Sequence, residues 1–310
     1  MTLSDTGDRV APPGPTSRSH DGPDTTDATP VASLPETVGV LGGGRMGAGI
    51  AHAFLLAGAR VHVVERDEAA ATAARERVET ALARSAQRGA KTPDADALTV
   101  GLDLAAFADA GLVVEAVPEY RDLKLDALAR IEGVVRGDAV VASNTSSISI
   151  DALAASLGRP ERFLGLHFFN PVPASALVEV VTGARSAPEV VEVAQRWVEA
   201  IGKTAVVVRD APGFASSRLG VALGLEAIRM LEEGVASAHD IDTAMELGYR
   251  HPMGPLRTTD IVGLDVRLGI AEELEAAFGA RFAPPALLRR LVAEGHRGRK
   301  TGRGFYEWSE

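Results

Sequence analysis

The sequence predicts an α/β chain that gives way to an all-α segment, and three observations carry this. Short apolar runs alternate with helix-length stretches from residue 37 to about 208. A glycine-rich turn joins the first run to the first helical stretch. After Pro212-Gly213 the strand-like runs give way to helical patterning. Strands alternating with helices predict a parallel sheet covered on both faces.

TVGVL (37–41) is an apolar run that stops at glycines, as a buried strand does. A helix is expected over 47–59, a second strand over 59–65, and a long Ala-rich helix over 67–88. LVVEAV (112–117) and AVVAS (139–143) read as strands flanking a helix over 119–135. RFLGLHFF (162–169) and LVEVV (177–181) follow as strands, then a helix over 187–202 and the strand TAVVV (204–208). Beyond a boundary near 209–212, helices are expected over 214–234, 236–248, 255–279 and 285–294, and GFYEW (304–308) is strand-like. The 214–234 stretch is apolar on most sides, which predicts a buried helix that Gly220 and Gly224 let a neighbour approach. The domains are thus 1–35, 36–210 and 211–310, the first a disordered tail rich in Pro, Gly, Ser, Thr and Asp.

Composition excludes several classes. The 310 residues are 46% hydrophobic and 24% charged, which is ordinary for a globular chain of two or three domains. No apolar run is long enough to span a bilayer, so no membrane role is expected. Cys is absent, which removes disulfides, thiolate metal sites and a Cys nucleophile, and no metal is expected. The tail lacks the apolar core of a secretory signal, and the expected location is the cytoplasm. A net charge of −10 with no basic block argues against nucleic-acid binding.

Gly42-Gly43-Gly44-Arg45-Met46-Gly47 fits G-x-G-x-x-G between a strand and a helix. Gly42 permits the tight turn, Gly44 lets backbone approach a pyrophosphate, and Gly47 allows close packing of helix on strand. The helix N-terminus offers free N–H groups to the anion. Glu65 ends the second strand, where an acid hydrogen-bonds the adenine ribose hydroxyls and repels a 2′-phosphate. The pattern predicts a Rossmann-type dinucleotide-binding domain that takes NAD rather than NADP, with Arg66 softening the preference. A phosphate loop at Gly202-Lys203-Thr204 is excluded, because Trp197 stands where a glycine is needed and the segment runs from helix to strand.

Of the seven histidines, His20 lies in the tail, His52 and His62 within the sheet–helix unit, His239 and His296 near helix ends, and His251 in a turn. His167 leaves a strand into Asn170-Pro171-Val172-Pro173, and Glu179 lies among valines on the next strand. A carboxylate there needs a partner, and neighbouring strands could bring it to His167, which leaves a His–Glu pair or a satisfied core histidine.

Together, VGVLGGGRMGAGIA, VASNTSSISI, RFLGLHFFNPVP, LVEVV, APGF, DIDTAMELGYRHPMGP, TDIVGLDV and GRKTGRGFYEW resemble the L-3-hydroxyacyl-CoA dehydrogenase family over about residues 37–310. The resemblance implies oxidation of the 3-hydroxyl of an acyl-CoA thioester, with NAD as hydride acceptor. It implies His167 as general base, Glu179 as its carboxylate partner, and Ser146 as a hydroxyl on the substrate oxygen near the nicotinamide; the other reading of Ser146 is a helix N-cap. Arg45 and Met46 fall within the cofactor turn. Glu119 and Lys124 match residues around the nicotinamide ribose, Asn170 a carboxamide contact, and Lys300 a C-terminal lysine near the cofactor. Lys91, Lys124, Lys203 and Lys300 are the only lysines among 32 basic residues, so lysine at two matched sites favours a demand for a compact ammonium. Ala81 and Arg88 stand where the family holds CoA with a Ser and a Lys, leaving Arg88 to pair a CoA phosphate. Ser217 replaces an Asn that positions substrate in many members. The helical domain is expected to form a homodimer. The alternatives are a related dehydrogenase of a free hydroxy acid or sugar acid, of gulonate dehydrogenase type, and a non-catalytic nucleotide-binding protein.

Overall fold

The computed structural model describes residues 34–308, so the tail expected before them lies outside the described residues. Eight strands form one sheet: β1 (Thr37–Leu41), β2 (Arg60–Val64), β3 (Leu98–Gly101), β4 (Leu112–Glu115), β5 (Val140–Ser143), β6 (Phe163–Phe168), β7 (Leu177–Thr182) and β8 (Thr204–Arg209), in the order β3-β2-β1-β4-β5-β6-β7-β8. From β3 through β6 all pairings are parallel. The strand order reverses direction between β1 and β4, and open α/β sheets bind ligands outside the carboxyl ends of the strands at such a switch point.

The sheet departs from the parallel expectation at one pairing. β7 runs antiparallel to β6, with β8 parallel to β7. The segment between β6 and β7 carries no helix, so the chain turns back instead of crossing over.

Helices α1 (Arg45–Leu56), α2 (Glu68–Ala86) and α5 (Pro188–Ala200) cover one face; α3 (Arg121–Val134) and the short α4 (Ile150–Ala154) cover the other. Alternation along the strands feeds two apolar layers. Val38 and Val40 of β1 meet Ile50 and Phe54 of α1, while Val113 and Val141 meet Leu128 and Ile131 of α3. Each such side chain, fully buried, contributes roughly 1.5–3 kcal/mol. α2 buries only Ala71, Ala74 and Val78, so its last two turns stand off the sheet.

After the Pro212-Gly213 corner come α6 (Ser216–Glu232), α7 (Ala238–Tyr249), α8 (Pro255–Val262), α9 (Leu264–Phe278) and α10 (Ala286–Ala293). They enclose a third apolar cluster around Leu225, Ile228, Leu256, Leu264, Leu274 and Leu288. The helix expected over 255–279 is two helices parted at Gly263. Gly220 and Gly224 do admit close neighbours: a Cβ at Gly220 would lie 3.3 Å from the Arg267 guanidinium, and one at Gly224 would lie 3.2 Å from Thr259 Oγ1. GFYEW is not a strand. The Phe305 and Tyr306 amides and the Trp308 indole donate to the buried Asp260 carboxylate, which takes the donors a ladder would need.

Candidate functional site

The carboxyl ends of the parallel strands gather most of the residues singled out in the sequence. Past β1, Gly42 takes φ +94°, and a Cβ at Gly47 would stand 1.8 Å from the Gly42 carbonyl oxygen, so neither position tolerates a side chain. At Gly44, by contrast, a Cβ would meet nothing within 4 Å, and that open face is where a diphosphate would approach. Gly44 caps α1 with no side-chain partner for the first-turn amides of Arg45, Met46 and Gly47. Past β2, Glu65 accepts the Gly43 N–H at 2.7 Å, which ties that carboxylate to the turn. Arg66 pairs with Asp67 at 3.0 Å, away from Glu65. Turn, free amides and acid fit an NAD molecule.

Past β4 and β5 lies a charged cluster that the sequence reading saw only in part. Lys124 of α3 is 1% exposed. Its ammonium donates to Glu115 Oε1 and Oε2 at 2.8 and 3.0 Å and to the Val117 carbonyl at 3.2 Å, and it stands 3.2 Å from Glu119 Oε2. Glu115, absent from the sequence reading, also accepts the Ser143 hydroxyl at 2.5 Å. The protons of Lys124 are thus engaged by Glu115, Val117 and Glu119. Glu119 in turn holds the Asn144–Ser147 loop: Thr145 Oγ1 donates to Oε1 at 2.5 Å, and the Ser146 and Ser147 amides at 2.8 and 3.1 Å. Burial pushes the Glu119 carboxyl up, but the Lys124 charge and these donors outweigh it and hold the group below the usual carboxylate range. Ser149 is the N-cap of α4, so the cap reading of Ser146 falls away. The Ser146 hydroxyl lies 3.4 Å from Glu119 at the loop surface.

The antiparallel β6–β7 pairing sets His167 directly opposite Glu179. His167 is 6% exposed and Glu179 1%. Burial alone would raise the Glu179 carboxyl; hydrogen bonds from His167 and from the Ser216 amide and hydroxyl bring it below its usual value. An ionised carboxylate only accepts, so His167 Nδ1–H donates to Glu179 Oε2, at 2.8 Å, and Nε2 is the ring nitrogen left without a protein partner among the described residues. Phe169 and Phe214 flank the ring at centroid distances of 4.5 and 5.7 Å. Asn144 Oδ1 accepts the Phe168 N–H at 2.9 Å and so ties the serine loop to the strand end beside the imidazole.

Ser216, not Ser217, donates to the pair: its hydroxyl reaches Glu179 Oε2 at 2.9 Å and its amide Oε1 at 2.8 Å. A groove of about 440 Å³ runs between α1, α2 and the β6–β7 loop, lined by Arg45, Arg77, Arg84, Ala81, Asn170 and Pro171 among others. Ala81 is among the lining residues and brings no polar side chain to it. Arg88 lies one turn beyond Arg84, exposed, with Nε donating to the Arg84 carbonyl at 3.1 Å. Arg77 and Arg84 were missed, although 77, 81 and 84 share one helix face. Lys300 lies in the helical half, 2.6 Å from Asp265, apart from the His167 cluster.

A glycine turn between strand and helix, an acid at the end of β2 tied to that turn, and a buried imidazole–carboxylate pair at the end of β6 are the marks of a nucleotide-dependent dehydrogenase. The sequence model of "3-hydroxyacyl-CoA dehydrogenase, NAD binding domain" matches residues 37–211, and that of "3-hydroxyacyl-CoA dehydrogenase, C-terminal domain" matches residues 213–308. The chain belongs to the 3-hydroxyacyl-CoA dehydrogenase family. It is 40% identical over 276 residues to a probable 3-hydroxybutyryl-CoA dehydrogenase of Deinococcus radiodurans, covering 87% of this chain and 99% of that one. It is 43% identical over 284 residues to the 3-hydroxybutyryl-CoA dehydrogenase of Mycobacterium tuberculosis, covering 88% and 98%. The crystal structure of an (S)-3-hydroxybutyryl-CoA dehydrogenase from Ralstonia eutropha superposes with a TM-score of 0.84 at 38% identity, covering 89% of this chain and all of that one.

Proposed function

We propose that this NAD-dependent dehydrogenase oxidises (S)-3-hydroxyacyl-CoA reversibly to 3-oxoacyl-CoA with His167 as general base. The observation that carries the assignment is the hydrogen bond between His167 Nδ1 and the buried Glu179 carboxylate, which fixes the direction of the ring and, in its neutral form, assigns the lone pair to Nε2. Nε2 takes the proton of the 3-hydroxyl, and Glu179 stabilises the imidazolium that results. In the reverse direction the imidazolium returns that proton to the developing alkoxide. When bound, NAD supplies the hydride acceptor, held by Gly42, Gly44, Arg45, Met46 and Gly47 at its diphosphate and by Glu65 at its adenine ribose. Glu119, with Lys124 behind it, sets the Ser146 loop, whose hydroxyl holds the substrate oxygen. Asn170 serves the nicotinamide end, Lys300 approaches the cofactor from the helical half, and Ser217 stands beside the acyl group. The two phenylalanines keep water from the ring. Arg45, Arg77 and Arg84 offer the CoA phosphates paired guanidinium contacts, with Arg88 at the far end.

The two family matches meet at residues 211 and 213, which supports separate nucleotide-binding and helical domains. Leu219, Leu247 and Tyr249 are large apolar residues at least 70% exposed on the helical half, which supports a homodimer formed through it.

Steady-state kinetics on 3-hydroxybutyryl-CoA with NAD and NADP test the assignment. Positioned acid–base catalysis contributes about 100- to 10,000-fold, so His167→Gln is expected to lower kcat by that order. Near-normal kcat in this variant would remove the assigned base.

A further inference from the structure

We infer that Ser216 is a positioning residue for the catalytic pair, acting on His167 through Glu179. The inference rests on the His167 assignment above and deepens it. Pro212-Gly213 turns the chain out of the sheet, and Phe214 follows with φ +47°, a left-handed conformation unusual for a bulky residue. That turn does two things at once. It lays the Phe214 ring against the imidazole at 5.7 Å. It also aims the next two amides at the carboxylate, with Ala215 N–H 3.1 Å and Ser216 N–H 2.8 Å from Glu179 Oε1. The Ser216 hydroxyl then donates to Oε2 at 2.9 Å, the same oxygen that accepts from His167 Nδ1 at 2.8 Å.

The chemistry of the shared oxygen follows. With two amides on Oε1 and one hydroxyl plus one imidazole N–H on Oε2, the carboxylate cannot rotate away from the ring. The hydroxyl also draws negative charge from the atom that stabilises the imidazolium. Among the described residues, few other charges bear on the pair. Arg218 of α6 is turned over the Phe278 ring at 4.0 Å, Glu119 is held by Lys124 and Thr145, and Glu273 of α9 faces Glu119 and Ser147. Glu179 is therefore the carboxylate that faces the His167 ring, and Ser216 shares the oxygen that holds it.

Ser216→Ala removes the hydroxyl and leaves both amides. kcat is expected to fall about 3- to 10-fold, with KM for the acyl-CoA and for NAD within about two-fold of wild type. The acid limb of the kcat/KM–pH profile reports the free-enzyme base. It is expected to move to higher pH, because Oε2 then serves the imidazolium alone. Ser216→Thr keeps the donor and should restore both values, whereas Ser216→Val should behave like Ala. An unchanged kcat and acid limb in the Ala and Val variants, with His167→Gln inactive, would overturn the role of Ser216 and leave the base in place. Activity retained by His167→Gln would overturn both. A loss in Ser216→Ala confined to KM or to thermal stability, with the limb unmoved, would make Ser216 a structural residue and refute the inference.

Discussion

Lys124 distinguishes a lysine that touches the cofactor from one that builds the site. It is 1% exposed and Glu115 is fully buried, so Lys124→Met leaves a buried carboxylate without its cation. Breaking a buried pair by removing one partner costs about 3–5 kcal/mol. The Ser143 hydroxyl and the Val117 amide still donate to Glu115, which places the loss toward the lower figure. Urea unfolding at pH 7 should therefore show a loss of about 3 kcal/mol, which for a domain of this size lowers Tm by roughly 6–12 °C. The double variant Glu115→Gln/Lys124→Met removes both charges and should recover at least half of that loss. A single variant with stability within about 1 kcal/mol of wild type and a selectively raised KM for NAD would refute this reasoning and make Lys124 a direct ligand of the cofactor.

Glu65→Ser removes the acceptor expected for the ribose hydroxyls; KM for NAD should rise about 10- to 100-fold while that for NADP falls, measured at saturating acyl-CoA. Arg84→Glu reverses one charge of the α2 groove, so KM for acyl-CoA should rise at least 10-fold with KM for NAD unmoved, and the ratio should narrow at high salt. Glu179 has a lowered folded-state carboxyl pKa, so its stabilisation is present above the unfolded value of about 4.3 and is lost as pH falls through the folded value. Acid unfolding of Glu179→Gln should accordingly be less steep below pH ~4.3 than that of wild type. Gly47→Ala forces a Cβ to 1.8 Å from the Gly42 carbonyl and should abolish NAD binding measured by fluorescence titration.

Some of this was legible in the sequence because local signals and chemistry coincide. The glycine turn, Glu65 and the His167–Glu179 pairing each follow from residues within one or two elements, and strand register then places the pair. β3 escaped notice because it is four residues long and only partly buried, which erases its alternation. Glu115 closes the run LVVE, and only the geometry of α3 shows that Lys124, nine residues on, comes back to it. Ser216 and Ser217 cannot be told apart in FASSRLG, since the rotation at Phe214 decides which hydroxyl meets the carboxylate. The antiparallel return after β6 was hidden for a similar reason: both neighbouring runs look like buried parallel strands, and only the lack of a crossover helix sets them apart.

The helical half has two connections to the chemistry, and they differ in kind. Lys300, proposed above to approach the cofactor, is paired with Asp265 in this structure. The first turn of α6 is different, because its two amides and one hydroxyl already hold Glu179 while Glu179 holds His167. Orientation of the His167 ring is therefore a property of the junction between the halves, even though both members of the pair lie on the sheet. If α6 loosens at its N-terminus, the carboxylate loses three of its four donors without any strand unpairing. Inactivation by mild denaturant is thus expected at concentrations that leave the strand signal in circular dichroism intact, since the corner at Pro212–Ser216 has no ladder to support it whereas β6 and β7 do.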